Sequence, residues 1–150
     1  DGGVSRRILG TLLTWMAERE ERVFLVATAN DVSALPPELL RKGRFDEIFF
    51  VDLPDAETRA AIFGIHLGRR GLKLDDYDLL ALAAVAEGFS GAEIEQAVVS
   101  ALYEARAAKT PPSTASLTAE LQRTRPLSVV MAERVEELRA WARDRTVPAG

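Results

Sequence analysis

The sequence has 150 residues, 47% hydrophobic and 28% charged, which suits one ordinary domain, or a small domain plus an appended piece, and excludes disorder over the whole length. A net charge of −4 argues against a general nucleic-acid binder, and the lack of cysteine removes disulfides, thiolate metal sites and cysteine nucleophiles while agreeing with a reducing cytosol. Charged residues interrupt every apolar stretch well short of the ~18 residues of a membrane span, and the start, Asp1-Gly2-Gly3, has neither signal-peptide regions nor an initiating Met, so a chain cut from something longer is expected.

Val4 to about Glu21 reads as a helix, with Ile8, Leu12, Leu13, Trp15 and Met16 in an apolar stripe and Ser5 near the N-cap. Val23 to Ala29 is a continuous apolar run without alternation, the pattern of a strand buried on both faces of a parallel sheet. It ends at Asn30-Asp31, where a turn is expected. Pro36-Pro37 opens a short helical turn, Arg41-Lys42-Gly43-Arg44 follows, and Glu47–Val51 reads as a second strand stopped by Pro54. From Asp55 the period becomes helical. Asp55 caps a helix from Ala56 to about Gly68 with Ile62, Phe63, Ile65 and Leu67 facing inward. A second helix covers about Asp78 to Ala86, closed by Glu87-Gly88, and a third starts at Ser90, with Glu93 three residues on, and runs to about Lys109. After the loop Thr110–Ser113 come a short helix, Thr118 to Arg123, and a longer one from Ser128 to about Arg145. Trp15 and Trp141 are expected in the core, and Pro148-Ala149-Gly150 as a frayed end.

Two buried strands cannot form a doubly wound sheet by themselves, so their neighbours are expected in sequence not present here. The run from Val26 to Leu67 contains a strand ending in Asn30, then Pro37 with Leu39 and Leu40, Arg41-Lys42-Gly43-Arg44-Phe45-Asp46, a strand, Leu53-Pro54, and a helix that reaches His66. Glu87-Gly88-Phe89-Ser90-Gly91-Ala92-Glu93-Ile94 lies downstream. Taken singly, an Asn after a strand is ordinarily a turn residue and an Arg pair a solvated face. Taken in this order, the segment resembles the second region of homology of the AAA-family ATPases, and the downstream motif resembles that family's lid.

The resemblance implies an α/β plus all-α fold: residues 1–68 as the C-terminal end of an αβα nucleotide-binding domain, and 69–150 as the helical lid. It implies catalytic roles for Asn30 as sensor-1 and for Arg41 and Arg44 as arginine fingers reaching a neighbouring subunit's ATP. Phosphoryl transfer spreads negative charge, and a guanidinium stays charged and presents a planar donor fork. His66 would lie near the adenine and ribose, and Gly91 and Ala92 against the nucleotide, where a helix start without bulk leaves backbone donors open. Ala92 stands where many relatives of the wider superfamily carry a sensor-2 Arg. Arg6 and Arg7 head a helix that the family places near the subunit interface, although an ordinary exposed helix start explains them as well.

No Gly-x-x-x-x-Gly-Lys-Ser/Thr loop occurs, nor an apolar run ending in Asp-Glu, so the ligands for ATP phosphates and Mg²⁺ are expected outside this chain, which alone should not hydrolyse ATP. Asp31 after the sensor Asn, Lys42 between the fingers and the tail from Arg125 to Ala142 look most like the bacterial and plastid AAA ATPases with a single ATPase module. The implied whole is a cytoplasmic homo-oligomeric ring, a hexamer, acting on a protein substrate, with no nucleic-acid or membrane partner. The alternative is a non-enzymatic module using the lid helices for oligomerisation or adaptor binding. A clamp-loader-like machine on nucleic acid is disfavoured by the acidic balance and the lid motif.

Overall fold

The computed structural model describes residues 2–20, 22–41 and 43–149, with the side chains of residues 2–6 outside the description. The chain forms two compact units, one of residues 1–50 with 138–150 and one of residues 51–137.

In the first unit, helix α1 runs over Gly2–Glu18. Ser5 therefore lies inside the helix, not at its cap. The two strands expected to be buried are corrected. Residues 22–29 form no regular element, and Phe24 in their midst is 92% exposed. A run buried on both faces needs hydrogen-bonding neighbours and covering layers, and among the described residues the Val23–Ala29 run has no ladder. The second strand contracts to β1, Phe49–Phe50, with Phe49 exposed. Its partner is β2, Val147–Pro148, in parallel register, Phe49 opposite Val147 and Phe50 opposite Pro148. Val147 N–H donates to Ile48 O at 2.9 Å and Ala149 N–H to Phe50 O at 3.0 Å. The tail expected to fray is thus hydrogen-bonded. Neither Trp is buried: Arg19 lies over the Trp15 ring at 5.4 Å and Arg145 over Trp141 at 5.8 Å, cation–π contacts that suit half-exposed indoles.

The second unit is all-helical. Helix α2, Ala56–Gly68, starts where Asp55 accepts from Thr58 N–H at 2.8 Å. A single 3₁₀ turn, Leu74–Asp76, leads to α3, Leu79–Val85, capped by Asp78 accepting from Ala81 N–H at 2.9 Å. Helix α4, Gly91–Ala107, begins with the reciprocal capping box of Ser90 and Glu93. Helix α5, Thr114–Arg123, starts four residues before the predicted Thr118, because Ser113 and Ser116 form a second reciprocal cap. The last long helix divides into α6, Leu127–Val130, and α7, Ala132–Ala142. The break at Met131 (φ −120°, ψ 37°) follows Val129-Val130, whose β-branched side chains favour helix poorly.

The core of this unit brings Phe63 and Leu67 of α2 against Leu82, Ile94, Val98, Leu117 and Leu121. Ile65, predicted inward, is exposed, since the buried stripe of α2 runs Arg59, Phe63, Leu67 at i, i+4, i+8. Arg59 is the buried charged residue there. Its Nε donates to Ala83 O and its Nη1 to Pro54 O, both at 2.8 Å, so the guanidinium satisfies the end of α3 and the segment entering α2.

Candidate functional site

The candidate residues fall into two groups, each within one unit. Asn30, Arg41 and Arg44 belong to the first, and His66, Gly91 and Ala92 to the second.

Asn30 is exposed at a bend that follows an irregular segment, not at the tip of a strand. The turn after it is fixed by Asp31, whose carboxylate accepts from Ser33 N–H at 3.0 Å and Ser33 Oγ–H at 2.5 Å. Arg41 to Arg44 is a turn closed by Arg44 N–H donating to Arg41 O at 3.3 Å, with Gly43 at φ +93°, a conformation that L side chains rarely adopt. The two arginines differ. Arg41 is exposed, without a side-chain hydrogen bond or ion pair among the described residues, whereas Arg44 Nη1 donates to Leu13 O of α1 at 3.0 Å and is half-buried. Both guanidiniums are held on one short turn, one free in solvent and one anchored to the helix behind it. Lys42 between them, and the side chain of Arg6, lie outside the described residues. Arg7 is exposed on the first turns of α1.

In the second unit the structure brings His66 and the start of α4 onto adjoining helices. A Cβ at Gly91 would meet Ile62 Cδ1 of α2 at 3.6 Å, an ordinary contact. One turn along both helices, Glu95 Oε1 of α4 lies 3.4 Å from His66 Nδ1 and 3.4 Å from Arg70 Nη2, while Arg70 Nη1 donates to His66 O at 2.9 Å. The His66 side chain is only 13% exposed, and its Nδ1 has no hydrogen-bond partner among the described residues. Ala92 is exposed, so the N-terminal turn of α4 is open on that side.

Sequence reasoning found the Ser90–Glu93 box but missed its wider connections. Glu93 Oε2 accepts from Ser90 N–H at 2.9 Å and Ser90 Oγ–H at 2.7 Å, while Oε1 accepts from Leu127 N–H at 2.7 Å. Next in line, Ser128 Oγ–H donates to Gly88 O at 2.5 Å. Partial burial pushes the Glu93 carboxyl up, but the donors from Ser90 and Leu127 outweigh it and hold the group below its ordinary 4.5. A depressed carboxylate contributes stability above its unfolded pKa and loses it as pH falls through the lowered folded value. The stability difference between this chain and its Glu93→Gln variant is therefore expected to be largest near neutral pH and to shrink below about pH 4. Melting curves across pH 3–7 test this, and a difference independent of pH would contradict it.

Among the described residues no helix is long and apolar enough to cross a membrane, and no group of three or more His, Cys, Asp or Glu is placed to hold a metal ion. Residues 1–53 match the model of the ATPase family associated with various cellular activities (AAA). The AAA domain-containing protein ycf46 of Pyropia yezoensis is 45% identical over 145 residues, which cover 96% of this chain and 30% of that protein. The chain belongs to the AAA family. The AAA domain-containing protein ycf46 of Guillardia theta is 43% identical over 143 residues, covering 95% of this chain and 28% of that protein. A proteasome-activating nucleotidase of Saccharolobus solfataricus is 40% identical over 105 residues, covering 67% of this chain and 26% of the relative. The chain thus spans about 30% of the length of the ycf46 relatives it matches. The AAA match takes in Asn30, Arg41 and Arg44, and the longer alignments extend the likeness through most of the helical unit.

Proposed function

We propose that this chain supplies the sensor-1 amide, the trans arginine fingers and the lid of a ring-forming AAA ATPase that couples ATP hydrolysis to the remodelling of proteins. In this reading residues 1–68 end the nucleotide-binding domain and 69–150 form the lid. Asn30 orients the attacking water, Arg41 and Arg44 stabilise charge on the γ-phosphate held by the neighbouring subunit, and His66, Gly91 and Ala92 face the nucleotide. The observation that carries it is the turn from Arg41 to Arg44 within the AAA-matched segment, bent at Gly43 so that both arginines belong to one short turn. Transition-state charge is what such a pair stabilises best.

A relative named as a nucleotidase that activates proteasomes supports hydrolysis coupled to work on protein substrates. A cytoplasmic homo-oligomer, a hexameric ring without nucleic-acid or membrane partners, fits the same reading. Among the described residues no three or more potential ligands gather around a site for Mg²⁺. Its ligands and the phosphate-binding loop are assigned to sequence outside the chain. The alternative, an oligomerisation or adaptor-binding module, draws on Leu127, Val129 and Val130, which are exposed on and beside one another in α6.

The purified chain alone is expected to hydrolyse no ATP in a coupled phosphate-release assay. Turnover by the pure chain would overturn the division of the site between this segment and the rest of the protein.

A further inference from the structure

The Gly88–Ala92 turn is held at its two flanks by residues 40 and 34 positions downstream. Gly88 has φ +79°, and a Cβ there would lie 2.7 Å from Ser128 Oγ. A side chain at this position would displace that hydroxyl, and the positive φ already favours glycine. The Ser128 hydroxyl uses that space to donate to Gly88 O. On the other flank Leu127 N–H, an orphan donor at the start of the four-residue helix α6, is taken by Glu93 Oε1. Pro126 precedes it at φ −66°, which sets the direction of entry. Phe89, 3% exposed, pins the middle of the turn into the core. The capping box by itself already satisfies the start of α4. The ties to Leu127 and Ser128 add a fixed orientation for the turn that ends in Gly91 and Ala92.

We propose that Ser128, with the Leu127 amide held by Glu93, is a positioning residue for ATP: it sets the orientation in which the Gly91–Ala92 backbone meets the nucleotide. The inference rests on the reading that this turn faces ATP. Its action is through the turn, without contact to the nucleotide, so it governs affinity and leaves the chemical step alone.

The test is steady-state kinetics of the intact ATPase carrying Ser128→Ala, Ser128→Thr or Ala92→Glu. Loss of the hydroxyl is expected to raise KM for ATP about threefold to tenfold, the range for one hydrogen bond, with kcat within about twofold. Ser128→Thr, which keeps the hydroxyl, is expected to restore KM. Ala92→Glu brings a carboxylate towards the polyphosphate and is expected to raise KM further than Ser128→Ala. If Ala92→Glu weakens ATP use and Ser128→Ala leaves KM unchanged, or lowers kcat in step with thermal stability, the positioning role is overturned while the turn keeps its place at the nucleotide. If neither variant moves KM, the turn does not meet ATP and both readings fall.

Discussion

Arg44→Ala and Arg41→Ala in the intact ATPase are each expected to lower kcat by about 10³-fold or more, with ATP binding unchanged within about twofold. The expected size comes from what a guanidinium supplied across an interface contributes to phosphoryl transfer, where charge builds on the transferred group and binding of the ground state is already secured elsewhere. ATP affinity would reside in the phosphate-binding loop of the subunit that holds the nucleotide, so truncating a neighbour's side chain touches the transition state alone. The two positions are also expected to differ. Arg41 is exposed and unattached, so its loss removes only the finger. Arg44 also donates to Leu13 O, so Arg44→Ala loosens the turn from α1 and should lower the melting temperature where Arg41→Ala does not. Turnover and nucleotide-binding measurements on both variants decide the matter. Equal loss of binding and turnover would count against a trans finger.

Phe63→Ala is expected to destabilise the helical unit by about 3–5 kcal/mol, the range for emptying a large aromatic site in a packed core. Phe63 is fully buried at the centre of the cluster formed by α2, α3, α4 and α5, so the neighbours cannot close the void without moving helices. That loss is a large share of the roughly 5–15 kcal/mol that holds an ordinary domain together. Phe24→Ala provides the contrast. The same chemical change at a side chain 92% exposed is expected to cost less than about 0.5 kcal/mol in this chain. Urea denaturation followed by circular dichroism measures both, and similar midpoints for the two variants would contradict the division between core and exposed segment.

The contrast between these two phenylalanines also shows which parts of the fold are legible in sequence. Helix starts are local: Asp55, Asp78 and Ser90 each place a side-chain acceptor three residues before the amide it satisfies, and each cap stands where the residues put it. Strands are not local. The apolar run Val23–Ala29 carries the composition of a buried strand, but a strand exists only with its lateral partner, and among the described residues the ladder pairs Phe49–Phe50 with Val147–Pro148 from the far end of the chain. The break at Met131 shows a weaker signal overlooked, two β-branched residues ahead of it inside an otherwise helical pattern. For the candidate site, the residue types and their order were readable, while the positive φ of Gly43 between the two arginines came with the structure. What could not be read was how the arginines divide, one free and one bonded to Leu13, because that bond joins residues 31 positions apart. The same holds for Ser128 and Gly88, 40 apart, and for Glu95, whose place beside His66 depends on how α2 packs against α4.

An arginine turn that works across a subunit interface can be supplied by a second molecule, so complementation distinguishes it from one that acts within its own subunit. This chain, in excess, is mixed with intact protein carrying both Arg41→Ala and Arg44→Ala, and phosphate release is followed. Turnover is expected in the mixture where neither component alone shows any. A mixture as silent as its parts, although the chain is shown by cross-linking to associate with the variant protein, would contradict it.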